Sequence, residues 1–322
     1  MNILLTGAFG NIGQYTLQTL LAEGHHVRTF DLPTRAHRRA ARNVRGPIEA
    51  VWGDMRDPGA IAAAVEDRDA VVHLAFIIPH LSDTGINSEE KPDLAYQVNV
   101  GGTRRLIEAM QACSPTPRLI FTSSLHIYGP TQHLKPPRRV SDKPNPTEHY
   151  ARHKVECERL VNASSLSWSI YRLGAALPVR LILDMGIFEV PLSNRIEIVH
   201  PRDVARAIAN GLAGRDIWGK ILHISGGPAC QHIYREVAMK VLHAAGVGML
   251  PDHAFNMEPF SIDWLDTTSS QALLDFQRHT LQDYLVDVRA KVGAARPIIR
   301  LIAPLLRRYM VNQSPYMNLE AI

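Results

Sequence analysis

Cysteine is scarce in this chain: Cys113, Cys157 and Cys230 are the only three in 322 residues. They are odd in number, far apart and form no CxxC pair. That excludes a disulfide framework and fits free thiols in a reducing cytoplasm. Long apolar runs are missing as well. No stretch approaches the roughly 20 residues that cross a bilayer, so no integral membrane segment is expected. The first apolar run begins so close to Met1 that no signal peptide is expected ahead of it. Internal repeats and low-complexity tracts are absent. Lys and Arg exceed Asp and Glu by 35 to 31, a net charge of +4, but they form no basic nucleic-acid motif and no aromatic-basic platform. Nucleic acid is therefore not an expected partner, and the small excess suits an anionic small molecule. What remains, with 46% hydrophobic and 20% charged residues, is an ordinary globular composition with length for one large or two modest domains.

What is present begins with the stretch TGAFGNIG, residues 6–13. Ile3, Leu4 and Leu5 before it read as a buried strand. Ile12, Tyr15, Leu17, Leu20 and Leu21 after it recur at helical spacing until Gly24. A tight glycine turn between a strand and a helix brings backbone N–H groups and the positive end of the helix to a pyrophosphate. Gly7, Phe9, Gly10, Asn11, Ile12 and Gly13 are the candidate dinucleotide-binding residues. The next strand, residues 26–30, ends in Asp31, close to the spacing of an acid that hydrogen-bonds an adenosine ribose diol. A carboxylate there repels a 2′-phosphate, so NAD is expected over NADP. Arg35, Arg38 and Arg39, which follow, read as a solvated helix face.

Strand and helix signals then alternate. Residues 49–52, 70–74, 118–122 and 167–171 read as strands, and 58–65, 92–110 and 147–161 as helices. The pattern predicts an α/β, Rossmann-type doubly wound parallel sheet. Residues 1–172 are expected to form the NAD-binding domain and 173–322 a smaller C-terminal substrate-binding domain, with 196–224 returning to the first. Two long loops, 77–91 and 129–146, follow strand ends, where ligands bind in such sheets.

The stretch Tyr150-Ala151-Arg152-His153-Lys154 carries the chemistry. Tyr and Lys four apart share a helix face. A phenol is a poor base at neutral pH, and a nearby ammonium favours its ionised form. Tyr150 is thus a candidate acid/base, and Lys154 a candidate both for activating it and for binding the ribose beside the nicotinamide. Thr122-Ser123-Ser124, at a strand end, offers a hydroxyl to hold a substrate oxygen.

With these motifs the chain resembles the extended short-chain dehydrogenase/reductases of the NAD-dependent epimerase/dehydratase type. The resemblance also takes in GDMRD, HLAF, VNVGGTRRLIEAM, FTSSLHIYG and VHPRDVARAI, and it covers nearly the whole length. It implies that Asp54 and Met55 flank the adenine, that Leu74 and Ala75 line the dinucleotide, and that Asn99 braces the sheet near the nicotinamide. It also implies that Ser124, Tyr150 and Lys154 are the catalytic group, with Ser124 chosen because it stands four before Tyr128. It further implies a homodimer through the helices at 92–110 and 147–161, whose outer faces would carry Leu106, Met110, Cys113, Val155 and Cys157.

Departures from the family pattern narrow the function. Where 4,6-dehydratases carry an Asp-Glu pair, this chain has Leu125 and His126. Leu125 transfers no proton, so that elimination route is not expected, and His126 is either an extra acid/base or a hydrogen-bonded wall residue. The segment 172–200 is short for wrapping a nucleotide diphosphate, and RLGAALP replaces the usual Asn-containing signature. Phe76, Ile77, Ser124, His126 and Arg172 are the substrate candidates. Ile78, Leu125 and Leu177 are possible apolar walls, with His80, Arg180, Arg195 and Arg202 as possible polar contacts. The expected activity is NAD-dependent hydride transfer between the nicotinamide and a secondary alcohol or ketone. A nucleotide-sugar 4-epimerase with retained NAD is the alternative, and a non-catalytic dinucleotide sensor is disfavoured by the complete Ser-Tyr-Lys set. His149, His153 and Cys157 have ligand-like spacing, but no metal is expected. The tail RPIIRLIAPLLRRYM has two readings, an anionic membrane surface or packing on protein. Packing is favoured, because Pro304 should kink a surface helix.

Overall fold

Ile3-Leu4-Leu5, Val71-Val72 and Leu119-Ile120-Phe121 are apolar without alternation, and all are buried. Strands of that kind belong to a parallel sheet covered by helices on both faces. The computed structural model, which describes residues 1–80, 85–179 and 185–317, contains such a sheet. Its strands are β1 (Asn2–Thr6), β2 (His26–Asp31), β3 (Ile48–Trp52), β4 (Ala70–His73), β5 (Arg118–Ser124), β6 (Trp168–Leu173) and β8 (Lys220–Ile224). They run parallel in the order β3-β2-β1-β4-β5-β6-β8. This is the doubly wound Rossmann-type sheet read from the alternation. Its order reverses between β1 and β4, which opens a crevice at their carboxyl ends.

Apolar side chains gather in three clusters. One face of the sheet is covered around Ile3, Leu17 and Ile208, and the other around Leu4, Met110 and Phe121. The third cluster lies around Phe188, Leu242 and Tyr284, in the smaller C-terminal part. The stretch expected to return to the first domain divides. Helix Pro201–Ala213 packs on helix Asn11–Ala22 and β8 completes the sheet. Its first strand, β7 (Arg195–Glu197), instead pairs antiparallel with β9 (Gln231–Ile233).

The helix expected at 92–110 is continuous from Pro92 to Gln111 but widens to a π turn over Gln97–Gly101. Leu106, Met110 and Cys157, assigned to a subunit contact in the sequence, face inward and pack in the sheet's own core. They have no apolar surface left to offer a partner. The tail forms a helix, Arg296–Asn312, that runs unbroken through Pro304.

Two buried polar networks tie these layers together. His73 on β4 meets the Thr6 hydroxyl of β1 at 2.7 Å and the Thr103 hydroxyl at 3.0 Å. Thr103 in turn donates to the Asn99 carbonyl at 2.6 Å. The second network starts at Arg172 on β6, which grips Glu158 with Nε and Nη2 at 3.0 and 2.8 Å. Nη1 donates to the Tyr128 hydroxyl (2.7 Å) and the Val140 carbonyl (2.9 Å). Tyr128 is 2.6 Å from His223 Nε2, and His223 Nδ1 donates to the Asp266 carbonyl at 3.0 Å. A carbonyl only accepts, so Nδ1 carries the proton and Nε2 accepts from Tyr128.

Burial holds His73 down to about 3 and His223 down to about 4. The unfolded chain therefore takes up these protons first, and the stability they contribute is present above about pH 6.5 and lost as pH falls through the folded values. Urea denaturation should show a loss of about 2 kcal/mol per histidine between neutrality and about pH 5. His223→Gln should remove roughly half of that slope. A flat profile would mean that both imidazoles charge freely in the folded protein.

Candidate active site

The glycine turn is built by close backbone approach. Gly7 has φ +70°, and a Cβ on it would sit 2.8 Å from the Ala75 nitrogen; one on Gly13 would lie 2.0 Å from the Gly7 carbonyl. Gly10 opens helix Asn11–Ala22 without a side-chain cap, so the first amides, at Asn11, Ile12 and Gly13, face the crevice with no partner inside the helix. Asn11 Nδ2 donates to the Ala176 carbonyl at 3.0 Å, tying the turn to the chain beyond β6. Leu74 and Ala75 continue from β4 and donate to the Thr6 carbonyl and hydroxyl, both at 3.2 Å.

Asp31, at the end of β2, is buried and accepts from the Ala8 and Phe9 amides at 3.0 and 3.4 Å. The acid read as a ribose ligand thus also sets the shape of the turn. Phe9 stacks on Trp52, with ring centres 5.8 Å apart, and Arg38 lies over Trp52 at 5.1 Å. Trp52, at the carboxyl end of β3, was not singled out in the sequence; an aromatic at that position was the available signal. Arg35, Arg38 and Arg39 are exposed. Asp54 is engaged by Arg56, whose side-chain hydrogen bonds hold its carboxyl below the usual range. Met55 is buried against Gly102. A cradle that any Cβ would fill, uncapped helix amides and a carboxylate at the end of β2 fit a dinucleotide.

Beside this cradle lie the side chains read as catalytic in the sequence. Ser124 ends β5, and its hydroxyl accepts from the His126 amide at 3.3 Å and stands beside the Tyr150 phenol. Tyr150 and Lys154 lie on helix His149–Ala163. The helix has no cap from its own Glu148. Glu89, from the loop after β4, accepts the His149 and Tyr150 amides, both at 2.9 Å. A carboxylate on free first-turn amides also meets the positive end of the helix. This cap was missed in the sequence because it comes from 60 residues away.

Lys154 is buried and donates to the Thr122 carbonyl at 2.6 Å, with its ammonium 3.5 Å from the Phe76 ring centre and 5.9 Å from that of Tyr150. Burial pulls it down to about 7. The Tyr150 phenol is pushed up to about 12 by burial, against the Ser124 hydrogen bond. The sequence expectation that the ammonium would lower the phenol is therefore reversed here, because desolvation acts on both groups and Lys154 is turned to a carbonyl.

His126 Nδ1 lies 2.8 Å from Glu148. Burial raises the Glu148 carboxyl, but hydrogen bonds from His126 and Ser261 outweigh it and the net shift is downward. Phe76 and His126 each meet Tyr150 edge-on at 5.8 Å, and Phe260 meets His126 edge-on at 5.7 Å. Asn99, in the π turn, clasps the Ile77 backbone, accepting from its N–H at 2.7 Å and donating to its carbonyl at 2.9 Å. Ser124, His126, Phe76, Tyr150 and Lys154 thus come together. Arg172 does not join them: it is buried and committed to Glu158, Tyr128 and Val140. Arg195 is held by Asp263 and Arg202 by Asp287. His80 pairs with Glu189 at 2.6 Å. Arg180 lies outside the described residues.

The sequence model of the NAD dependent epimerase/dehydratase family matches residues 3–175, more than half of the chain. The protein belongs to this family. Its cofactor is NAD. L-arabinose 1-dehydrogenase (NAD(P)(+)) of Haloferax volcanii is 32% identical over 171 residues, which cover 50% of this chain and 59% of that protein. The 3 beta-hydroxysteroid dehydrogenase/Delta 5-->4-isomerase of Mycobacterium tuberculosis is 32% identical over 170 residues, 51% of this chain and 42% of that one. This family member therefore spans about half the length of the curated relatives it matches. In fold it is similar to DesIV, a dTDP-glucose 4,6-dehydratase from Streptomyces venezuelae solved with NAD bound. That likeness has a TM-score of 0.76 at 24% identity and covers 92% of this chain and 98% of that one.

Two outcomes follow. Glu89→Ala removes a charged cap and should lower the urea midpoint by the equivalent of about 1–2 kcal/mol with an unchanged slope. No change would mean that the first turn is held by other contacts. NAD(H) should bind more tightly than NADP(H) in fluorescence titrations, with the gap narrowed in Asp31→Ala. Equal affinities in the unmutated protein would remove Asp31 from that role.

Proposed function

We propose that this protein transfers hydride reversibly between NAD and a compact, largely apolar secondary alcohol or its ketone, with Ser124, Tyr150 and Lys154 as the catalytic group. The observation that carries the reading is the Tyr150 phenol, set beside Ser124 and ringed by Phe76 and His126 next to the glycine cradle. The dehydrogenases among its relatives support the reaction class.

The glycine turn, Asp31 and the amides of Asn11 to Gly13 would hold the dinucleotide. NAD supplies a hydride acceptor, and NADH a donor, at the nicotinamide. The chain's own residues manage the oxygen and its proton. Ser124 positions the substrate oxygen by a hydrogen bond. Tyr150, a neutral phenol at rest, gives its proton to a ketone oxygen; in the reverse direction its phenolate receives the proton of the alcohol. Lys154 packs under Phe76 and anchors its helix to β5 through the Thr122 carbonyl. His126, fixed on Glu148, forms a wall with a protonated Nδ1. The aromatic lining excludes water and suits an apolar carbon skeleton, because it offers nothing to compensate a desolvated diphosphate.

A panel of cyclic alcohols, hydroxy acids, free sugars and UDP- and dTDP-sugars, followed by NADH absorbance and a separate epimer assay, tests the reading. Turnover should appear with the alcohols. With the phenol this high, alcohol oxidation should rise with pH. Tyr150→Phe should lower the rate about 10²–10⁴-fold with NAD binding preserved. Full turnover in that variant, or a UDP-sugar epimerised with no net NADH, would overturn the proposal.

A further inference from the structure

We infer that helix Arg296–Asn312 lies along the surface of an anionic lipid bilayer. One side of this helix is spent on the protein. Ile299, Ala303 and Met310 are buried, and Arg296 and Arg307 donate to the carbonyls of Ala244 (3.0 Å) and Val247 (2.8 Å). Those contacts fix the helix's rotation. A second apolar stripe is then left pointing outward: Ile298, Leu301, Ile302, Leu305 and Tyr309, with Leu301 82% and Leu305 71% exposed. The spacing of three, one, three and four keeps all five within about 100° of one face, a ridge about 16 Å long. Five of the twelve exposed large apolar side chains among the described residues fall on this one ridge.

Charge decides the occupant. From Val288 to Met317 the sequence has six cationic side chains, Arg289, Lys291, Arg296, Arg300, Arg307 and Arg308, and no acidic one. Arg289, Lys291, Arg300 and Arg308 are exposed. An apolar ridge with cations and no anion is the composition that partitions into the headgroup boundary of anionic lipid. A second copy of the chain docked ridge to ridge would set like charges against each other. No helix among the described residues is long and apolar enough to cross a membrane, so the contact is peripheral.

The test is co-sedimentation of the full chain with phosphatidylcholine vesicles, with and without phosphatidylglycerol, alongside sedimentation of the chain alone. The chain should pellet with the anionic vesicles and be released by salt. Leu301→Gln with Leu305→Gln should lower partitioning on the order of a hundredfold, and Arg300→Gln with Arg308→Gln about thirtyfold. All four side chains are exposed and none belongs to a buried apolar cluster, so urea midpoints should be unchanged. Absence of binding to anionic vesicles, or binding that neither pair weakens, would overturn the inference. So would a dimer in free solution that the leucine pair dissociates, because the ridge would then belong to a second copy.

Discussion

The site depends on one buried imidazole kept neutral. His73 spans from the Thr6 hydroxyl to the Thr103 hydroxyl, and nothing around it compensates a positive charge. Thr6 also receives the Ala75 amide, so the same side chain fixes the entrance of the glycine turn. Thr103 passes the link to the Asn99 carbonyl, and the Asn99 amide clasps the backbone of Ile77. Phe76, next to it in the chain, meets both Lys154 and Tyr150. Cradle, π turn and aromatic wall are thereby joined by short hydrogen bonds between buried groups, where each unpaired one would be costly.

The parallel sheet was legible because its strands are continuous apolar runs broken by turns, and the glycine turn because close backbone approach leaves room for no Cβ. Helix limits were read within a few residues where Pro58 or Pro92 began them. The π turn was not legible, since Gln97 to Gly101 read as ordinary helix and Asn99 within it is held by Ile77, a contact 22 residues away. Arg172 read as a free cation at a strand end. Its true partner, Glu158, lies on a helix whose rotation the sequence leaves open. Glu89 and Phe260 were missed for a related reason: each reaches the site from a loop that carries no periodic signal.

Tyr150 and Lys154 also show how burial competes with charge. An ammonium and a phenol four residues apart invite the simple expectation that one lowers the other. Here each is stripped of water more than it is helped by its neighbour, so the lysine loses basicity and the tyrosine gains it. At neutral pH the Tyr150 phenol therefore keeps its proton.

The carboxylate of Glu89 ties two parts that usually vary separately. It belongs to the loop beyond β4 that borders the crevice, yet it closes the first turn of the helix that carries Tyr150 and Lys154. A change in that loop that admits a new substrate therefore also loosens the scaffold of the proposed acid. Substrate range and catalytic competence are inherited together, and a successful change of range must carry its own replacement for the lost anion.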